Sequence, residues 1–268
     1  MTSSYREFAP NEQLTGIVDA FWCYESHFKE PKWDILVPEG VVDVVFNLGQ
    51  PYYREPVGQA LVDGEWIRSN VIVGQRDRLF KIQWPIDTRL FAIRLNASSA
   101  YQFVSQPMSR YTNSTLSVNL SSLKGLAHQL HNDSCSTFEN LISISECFLD
   151  GFEYPKHKAE EAVAEATAII FEQEADVSVV ELSEKLGVNP RTLERYFDRL
   201  VGISPKAFIR IKRFHCFLLK HKESNLSAFE SALEVSYYEQ SHFIHEFKRF
   251  TGETPKAFFD SPPEIYEP

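Results

Sequence analysis

The chain has 268 residues, 43% hydrophobic and 24% charged, which predicts one large or two ordinary globular domains rather than a disordered or fibrous protein. Its net charge of -10 argues against a chain that coats nucleic acid along its whole length. The first residues hold no apolar signal core and no apolar run reaches membrane-spanning length, so the sequence predicts a cytoplasmic protein with no membrane partner.

Residues 1–95 read as mainly extended. Short β-branched and aromatic runs at Asp34–Val37, Val41–Leu48, Asn70–Gln75 and Leu90–Leu95 are broken by Pro and by Gly40, Gly49, Gly58, Gly64 and Gly74. That punctuation predicts a small barrel or sandwich. Leu14, Ile17, Val18, Phe21 and Trp22 instead follow a helical spacing. From Ala97 the pattern changes. Ser98–Gln106 reads as a short helix ended by Pro107, and apolar residues from Leu116 to Phe148 recur at helical intervals. Leu123, Leu126, Ala127 and Leu130 share one face, as do Phe138, Leu141 and Ile142; the two helices either meet a second copy of the chain or complete their own core.

Asp150–Lys158, with Gly151, Pro155 and several charges, reads as a boundary. The expected division is 1–150, a linker at 151–158, a helical domain at 159–260 and a tail at 261–268. Charge divides in the same way. Residues 1–176 hold 14 Lys/Arg and 24 Asp/Glu, whereas residues 177–260 hold 13 and 11. An acidic body with a mildly basic end fits DNA contact confined to that end. Cys23, Cys135, Cys147 and Cys216 form no CxxC pair and read as ordinary thiols.

The basic end carries two helix-turn-helix patterns. In the first, Gly187 breaks the helix Val179–Leu186, Asn189 stands where an N-cap is needed and Pro190 opens a helix to Leu200. Leu193, Tyr196 and Phe197 mark its inner side; Arg191, Thr192, Glu194, Arg195 and Arg199 are the candidate DNA-facing residues. The second unit comes fifty residues later, with a supporting helix Phe229–Val235, a turn Ser236–Glu239 and a reading helix Gln240–Phe250. Phe243, Phe247 and Phe250 should face the core. Gln240, Ser241, His242, Ile244 and His245 are placed toward DNA, with Lys248 and Arg249 toward phosphates. His242 alternatively satisfies local hydrogen bonds. Between the units, Ala207–Lys220 reads as a helix with Ile209, Phe217 and Leu218 inward and Arg210, Lys212, Arg213 and Lys220 wet or near phosphate. The repeat of Gly-Ile-Ser-Pro-Lys-Ala-Phe (202–208) as Gly-Glu-Thr-Pro-Lys-Ala-Phe (252–258) marks an internal duplication.

The run Leu182-Ser183-Glu184-Lys185-Leu186-Gly187-Val188 with Arg191–Phe197, followed by Tyr237–Phe243 and Glu246–Gly252 with Pro255, resembles the C-terminal domain of the arabinose-regulator, or AraC/XylS, family. The resemblance covers about residues 159–260. It implies a promoter-binding transcription regulator, often dimeric, whose partner domain senses a signal; RNA polymerase joins its partners if it activates. It also implies base reading from Arg191, Glu194 and Arg195 and from Gln240, Ser241 and His245. The second unit departs from the family pattern. Ser236 stands where family members usually have Gly, Ser231 where they have Ile or Leu, and His245 where Arg is common. Ser236 then accepts strain if its φ is positive, and a buried Ser231 hydroxyl needs a partner. His245 binds phosphate or base more strongly when protonated, so operator affinity should rise from pH 8 to pH 6.

Leu36–Gly40, Asp43–Phe46 and Val73–Arg76 are similar to an uncharacterised sensor-like domain found ahead of such DNA-binding domains. The expected whole is a two-domain α+β protein, a cupin-like β-barrel or sandwich with accessory helices followed by an all-α domain with two helix-turn-helix units. Trp22, Trp33, Tyr52, Tyr53, Trp66 and Trp84 either line a small-molecule pocket or pack a core, and Arg76, Arg78 and Arg94 can orient an anion. His27, His128, His131 and His157 lack the His/Glu combination of a metal-binding barrel. No catalytic residue, metal or cofactor is assigned, and the chain reads as a regulator rather than an enzyme. The rival readings are a small-barrel enzyme fused to a DNA-binding module, and a DNA-binding scaffold that senses no ligand.

Overall fold

The computed structural model describes residues 2–57, 64–133, 136–224 and 226–260; Gly58, Cys135 and the tail 261–268 lie outside them. Ten strands come first: β1 (Thr2–Phe8), β2 (Val18–His27), β3 (Lys32–Leu36), β4 (Val42–Asn47), β5 (Tyr52–Pro56), β6 (Glu65–Ile67), β7 (Val71–Val73), β8 (Phe80–Trp84), β9 (Asp87–Leu95) and β10 (Thr115–Ser117). Their ladders are antiparallel and build two sheets, one of six strands in the order β1-β2-β9-β4-β7-β10 and one of four in the order β3-β8-β5-β6.

The expected cupin-like barrel is not formed. Among the described residues no ladder joins the two sheets, and β1, β10, β3 and β6 each keep a free edge. The layers form an open sandwich. Short strands punctuated by Gly and Pro serve either architecture, and only the pairing decides between them.

The six-stranded sheet is covered on both faces. Trp22, Tyr24, Val45, Leu90 and Ala92 point into the sandwich with Tyr52, Ile82 and Trp84 of the smaller sheet. The alternating set Phe21, Cys23, Val44, Phe46, Phe91 and Ile93 points the other way, onto the helices α1 (Lys124–Asn132) and α2 (Phe138–Asp150). Leu123, Leu126, Ala127, Leu130 and Leu141 lie in that second cluster, so the apolar faces of α1 and α2 complete the chain's own core. Burial on both faces also accounts for the helical spacing around residue 20. A strand with no wet face reads as a continuous apolar run, and Leu14 through Trp22 form a turn running into β2. Of the segment 98–106, only Ala100–Phe103 is helical, as a single 3-10 turn.

Among the described residues seven α-helices follow: α3 (Glu160–Glu172), α4 (Val179–Lys185), α5 (Pro190–Leu200), α6 (Pro205–Glu223), α7 (Ala228–Leu233), α8 (Gln240–Thr251) and α9 (Pro255–Asp260). Their aromatic core of Phe197, Phe208, Phe214, Phe217, Tyr237, Phe243 and Phe247 is continuous with Val37, Leu79 and Ala97 of the sheet layers. At Gly202 (φ +100°) the backbone runs against Met108, where an added Cβ would stand 2.9 Å from a carbonyl oxygen. Thr112 donates to the Gly202 carbonyl at 2.5 Å, and Gln102 to Glu160 at 3.1 Å. The helical end is thus packed directly on the sandwich.

Candidate nucleic-acid interface

Local capping builds the first unit. Ser178 and Glu181 close a reciprocal capping box at the start of α4, with bonds of 3.2 and 2.8 Å. Gly187 turns the chain at φ +63° with open space where a Cβ would stand. Asn189 Oδ1 accepts from the Thr192 amide at 2.8 Å and Pro190 opens α5. Leu193, Phe197 and Leu200 are buried. Arg191, Glu194, Arg195 and Arg199 are exposed and Thr192 is half-buried. Arg199, in the last turn, lies close enough to His157 to hold that imidazole below its ordinary value, together with burial as the main cause.

The second unit opens with the same device, a capping box of Ser227 and Glu230 with bonds of 2.8 and 3.3 Å. From there it diverges. Ser236 occupies the turn at φ +65°, the left-handed region that a side chain disfavours. Glu239 gives α8 no side-chain cap. Ser231 is fully buried and its hydroxyl has found partners, His221 Nδ1 at 3.0 Å and Ser224 Oγ at 3.2 Å. On α8, Phe243, Phe247 and Phe250 are buried while Gln240, Ser241, His242, Ile244, His245, Lys248 and Arg249 are all exposed. His242 also has local partners: its ring leans on Tyr237, and Nε2 lies 3.8 Å from Glu246.

The sequence reading missed Glu246, which is fully buried on the inner side of α8. Its carboxylate accepts from Arg210 Nε of α6 at 2.5 Å and from the Tyr237 hydroxyl at 2.6 Å. Burial and that carboxylate push the Tyr237 phenol well above its ordinary value. The signal was present, since an acidic residue three positions after Phe243 falls on the apolar stripe of the helix.

Of the α6 cations expected to be wet or near phosphate, Lys212 is buried, whereas Arg210, Arg213 and Lys220 are half-buried and already hold partners. Arg210 holds Glu246; Arg213 donates to the Ala175 carbonyl at 2.8 Å; Lys220 pairs with Glu174 at 2.6 Å. Lys212 is 6% exposed, its ammonium 4.3 Å from the centre of the Phe171 ring. Burial holds its pKa down to about 8, against the opposing pull of Asp19 and Glu39. On α5 and α8 the cations Arg191, Arg195, Arg199, Lys248 and Arg249 are all exposed. Between the units runs a groove of about 730 Å³ lined in part by Ser178, Lys206, Arg210, His242 and His245.

In the sheet layers the six aromatic candidates separate. Trp22, Tyr52 and Trp84 line an internal cavity, whereas Trp33, Tyr53 and Trp66 form a contacting row whose two tryptophans are 46% and 52% exposed. Arg76 and Arg94 line the cavity. Arg78 does not; it pairs with Asp77. His128 and His131 are exposed on α1, and His27 pairs with Asp87 at 2.6 Å. Among the described residues, no helix is long and apolar enough to cross a membrane.

Residues 182–261 match a helix-turn-helix domain family and residues 6–117 match a domain of unknown function, DUF6597. No curated protein matches the chain. Among solved structures it is similar to ToxT from Vibrio cholerae, with a TM-score of 0.51 and 9% identity over 97% of this chain and 98% of that one. A second ToxT structure, from strain O395, gives 0.48 and 10% over 89% and 95%. The AraC-like transcriptional activator CuxR gives 0.27 and 12% over 86% and 90%. The first of these shows a shared fold across nearly the whole of both chains. The helix-turn-helix match spans most of both units, each with its turn and apolar stripe formed, so residues 182–261 form a helix-turn-helix domain.

Proposed function

We propose that the protein reads two successive major-groove segments of a promoter, one with α5 and the other with α8, under control of its sheet domain. The observation that carries this reading is the pair of outward rows, Arg191, Glu194 and Arg195 on α5 and Gln240, Ser241 and His245 on α8, each backed by a buried apolar stripe. Arg suits guanine edges, Gln suits adenine, and the exposed Lys248 and Arg249 suit phosphates. Two helices held by one scaffold helix fit successive grooves on one side of a duplex, about 34 Å apart. In this reading residues 1–150 sense, 151–158 link and 159–260 bind DNA. A small-molecule effector, a second copy of the chain and, for an activator, RNA polymerase complete the set of partners.

Selection of bound duplexes from a random library tests it, using the intact protein beside an Arg195→Ala/Gln240→Ala variant. The expected result is two short blocks about one helical turn apart, lost or relaxed in the variant. A doubled symmetric site adds dimeric binding. A single block matching α5 would make α8 a positioning helix, and no enrichment at low salt would defeat the reading for the free protein.

A further inference from the structure

The cavity between the two sheets contains a cation that is not fully satisfied. Its volume is about 50 Å³, with Trp22, Tyr52 and Trp84 among its walls and Arg54, Arg76 and Arg94 reaching it. Two of the guanidiniums are well engaged. Arg54 holds Glu65 through Nε at 2.6 Å and Nη2 at 2.5 Å. Arg94 spans Asp43 at 3.3 Å, Glu7 at 3.6 Å and Glu39 at 3.7 Å, and Asp43 also accepts from the Trp22 indole at 2.9 Å. Arg76 differs. Its side chain is 10% exposed, its ion pair with Glu39 is a loose 3.6 Å, and its Nε is buried with no hydrogen-bond partner among the described residues.

A buried charged donor left unmade beside aromatic walls is costly, so such groups are normally matched. The planar fork of arginine presents parallel N–H groups that a carboxylate fits with both oxygens. A space of about 50 Å³ exceeds what one water needs, and falls far below the several hundred Å³ of a drug-sized pocket. The ligand is therefore an anion of a few heavy atoms with a short apolar portion.

The same site reaches the scaffold helix of the DNA-binding end. Glu39 precedes Gly40, which has φ +72° and lies so close to α6 that an added Cβ would stand 2.8 Å from Lys212 Cε. Lys212, buried on α6, is within the electrostatic reach of Glu39 and Asp19. A carboxylate that takes the Arg76 fork deprives Glu39 of one of its two arginine partners, and the 39–40 turn bears on Lys212. We propose that this cavity binds a short-chain carboxylate, gripped by Arg76 and reported to α6 through Glu39, Gly40 and Lys212. The relay rests on the DNA-binding reading above; the binding site does not.

The test titrates the full chain with acetate, propionate and butyrate, with chloride at equal ionic strength as the control. Tryptophan fluorescence is the readout, since Trp22 and Trp84 line the cavity. A saturable change with a half-point below about 1 mM is expected for at least one acid, raised at least tenfold in Arg76→Gln. Should Arg76→Gln not fold, Val73→Leu, which adds a methylene to a wall of the same cavity, must weaken the longest bound acid at least threefold. A response to none of the acids, a response that chloride matches, or one that neither variant moves overturns the site and leaves water as the occupant. The relay is read by operator affinity. It should change at least threefold at saturating propionate, or at whichever acid binds, and Lys212→Met should abolish that change while the fluorescence response persists. Binding without a change in affinity overturns the relay alone. If no operator is bound with or without carboxylate, the DNA-binding reading fails and takes the relay with it, and the cavity result stands by itself.

Discussion

The two helix-turn-helix units follow one plan and are held by different means. The first obeys local rules. A capping box, a left-handed glycine at the turn and an Asn-Pro start to α5 each satisfy backbone groups within a few residues of sequence. The second lacks the glycine and the cap on α8, and α8 is tied instead to α6 by a buried carboxylate shared between Arg210 and Tyr237. A duplicated motif can therefore keep its geometry while its stability migrates from local to tertiary contacts. The first unit should behave as a sturdy reader, and the second as one whose order depends on α6.

The largest effect should follow from removing that carboxylate. Glu246→Ala leaves the buried Tyr237 hydroxyl and the half-buried Arg210 guanidinium without their shared carboxylate and should cost about 3 kcal/mol, the low end of the range for breaking a buried ion pair by deleting one partner. Urea unfolding checks the magnitude. Hydrogen exchange checks the comparison, because amides of α7 and α8 should lose protection while those of α4 and α5 keep theirs. Equal loss in both units would mean that the helical end is one cooperative body and that the contrast drawn above is only geometric.

The same contrast governs what could be read from the sequence. Asn189, Pro190, Gly187 and the apolar stripes were legible because caps, turns and periodicity act over a handful of residues. The departures at Ser236 and Ser231 marked two positions to inspect, strained if φ is positive and needing a partner if buried, and the structure meets both conditions. The fate of the α6 cations was not legible. Arg210, Lys212 and Arg213 sit in a basic helix that looks wet, and only the tertiary fold shows that their partners are Glu246, a turn of the sheet domain and the Ala175 carbonyl. The barrel expectation failed for a related reason, since strand content does not encode which edges pair. Asp43 and Arg94 show the limit most clearly: each lies within a strongly apolar strand, and their meeting inside the sandwich depends on the β4–β9 register.

If α6 is the element on which both the second unit and the sheet domain lean, it should also carry an alkaline pH response that neither unit shows. The Lys212 ammonium, ordinarily near 10.5, is held down to about 8 by burial. Between those values the unfolded chain keeps a proton that the folded chain has released, so stability rises with pH. Linkage gives a gain of about 1.5 kcal/mol from pH 8 to pH 9.5. Urea midpoints across that interval measure it. Lys212→Met should flatten the slope, and an unchanged slope would assign the response elsewhere.

The smallest effect tests the turns themselves. At residue 187 an added Cβ meets nothing within 4 Å, so Gly187→Ser pays only for the left-handed backbone, about 1 kcal/mol. Ser236 already bears that cost at φ +65°, and Ser236→Gly should return a similar amount, reduced somewhat by the greater freedom of glycine in the unfolded chain. The double exchange should be nearly neutral in urea, since the turns are separate sites without shared partners. Its value lies in the local readout: protection of α8 should rise and that of α5 should fall, moving the second unit toward the first. If Ser236→Gly stabilises nothing, the serine side chain supplies compensating contacts, and its departure from glycine is a built feature of the second turn rather than tolerated strain.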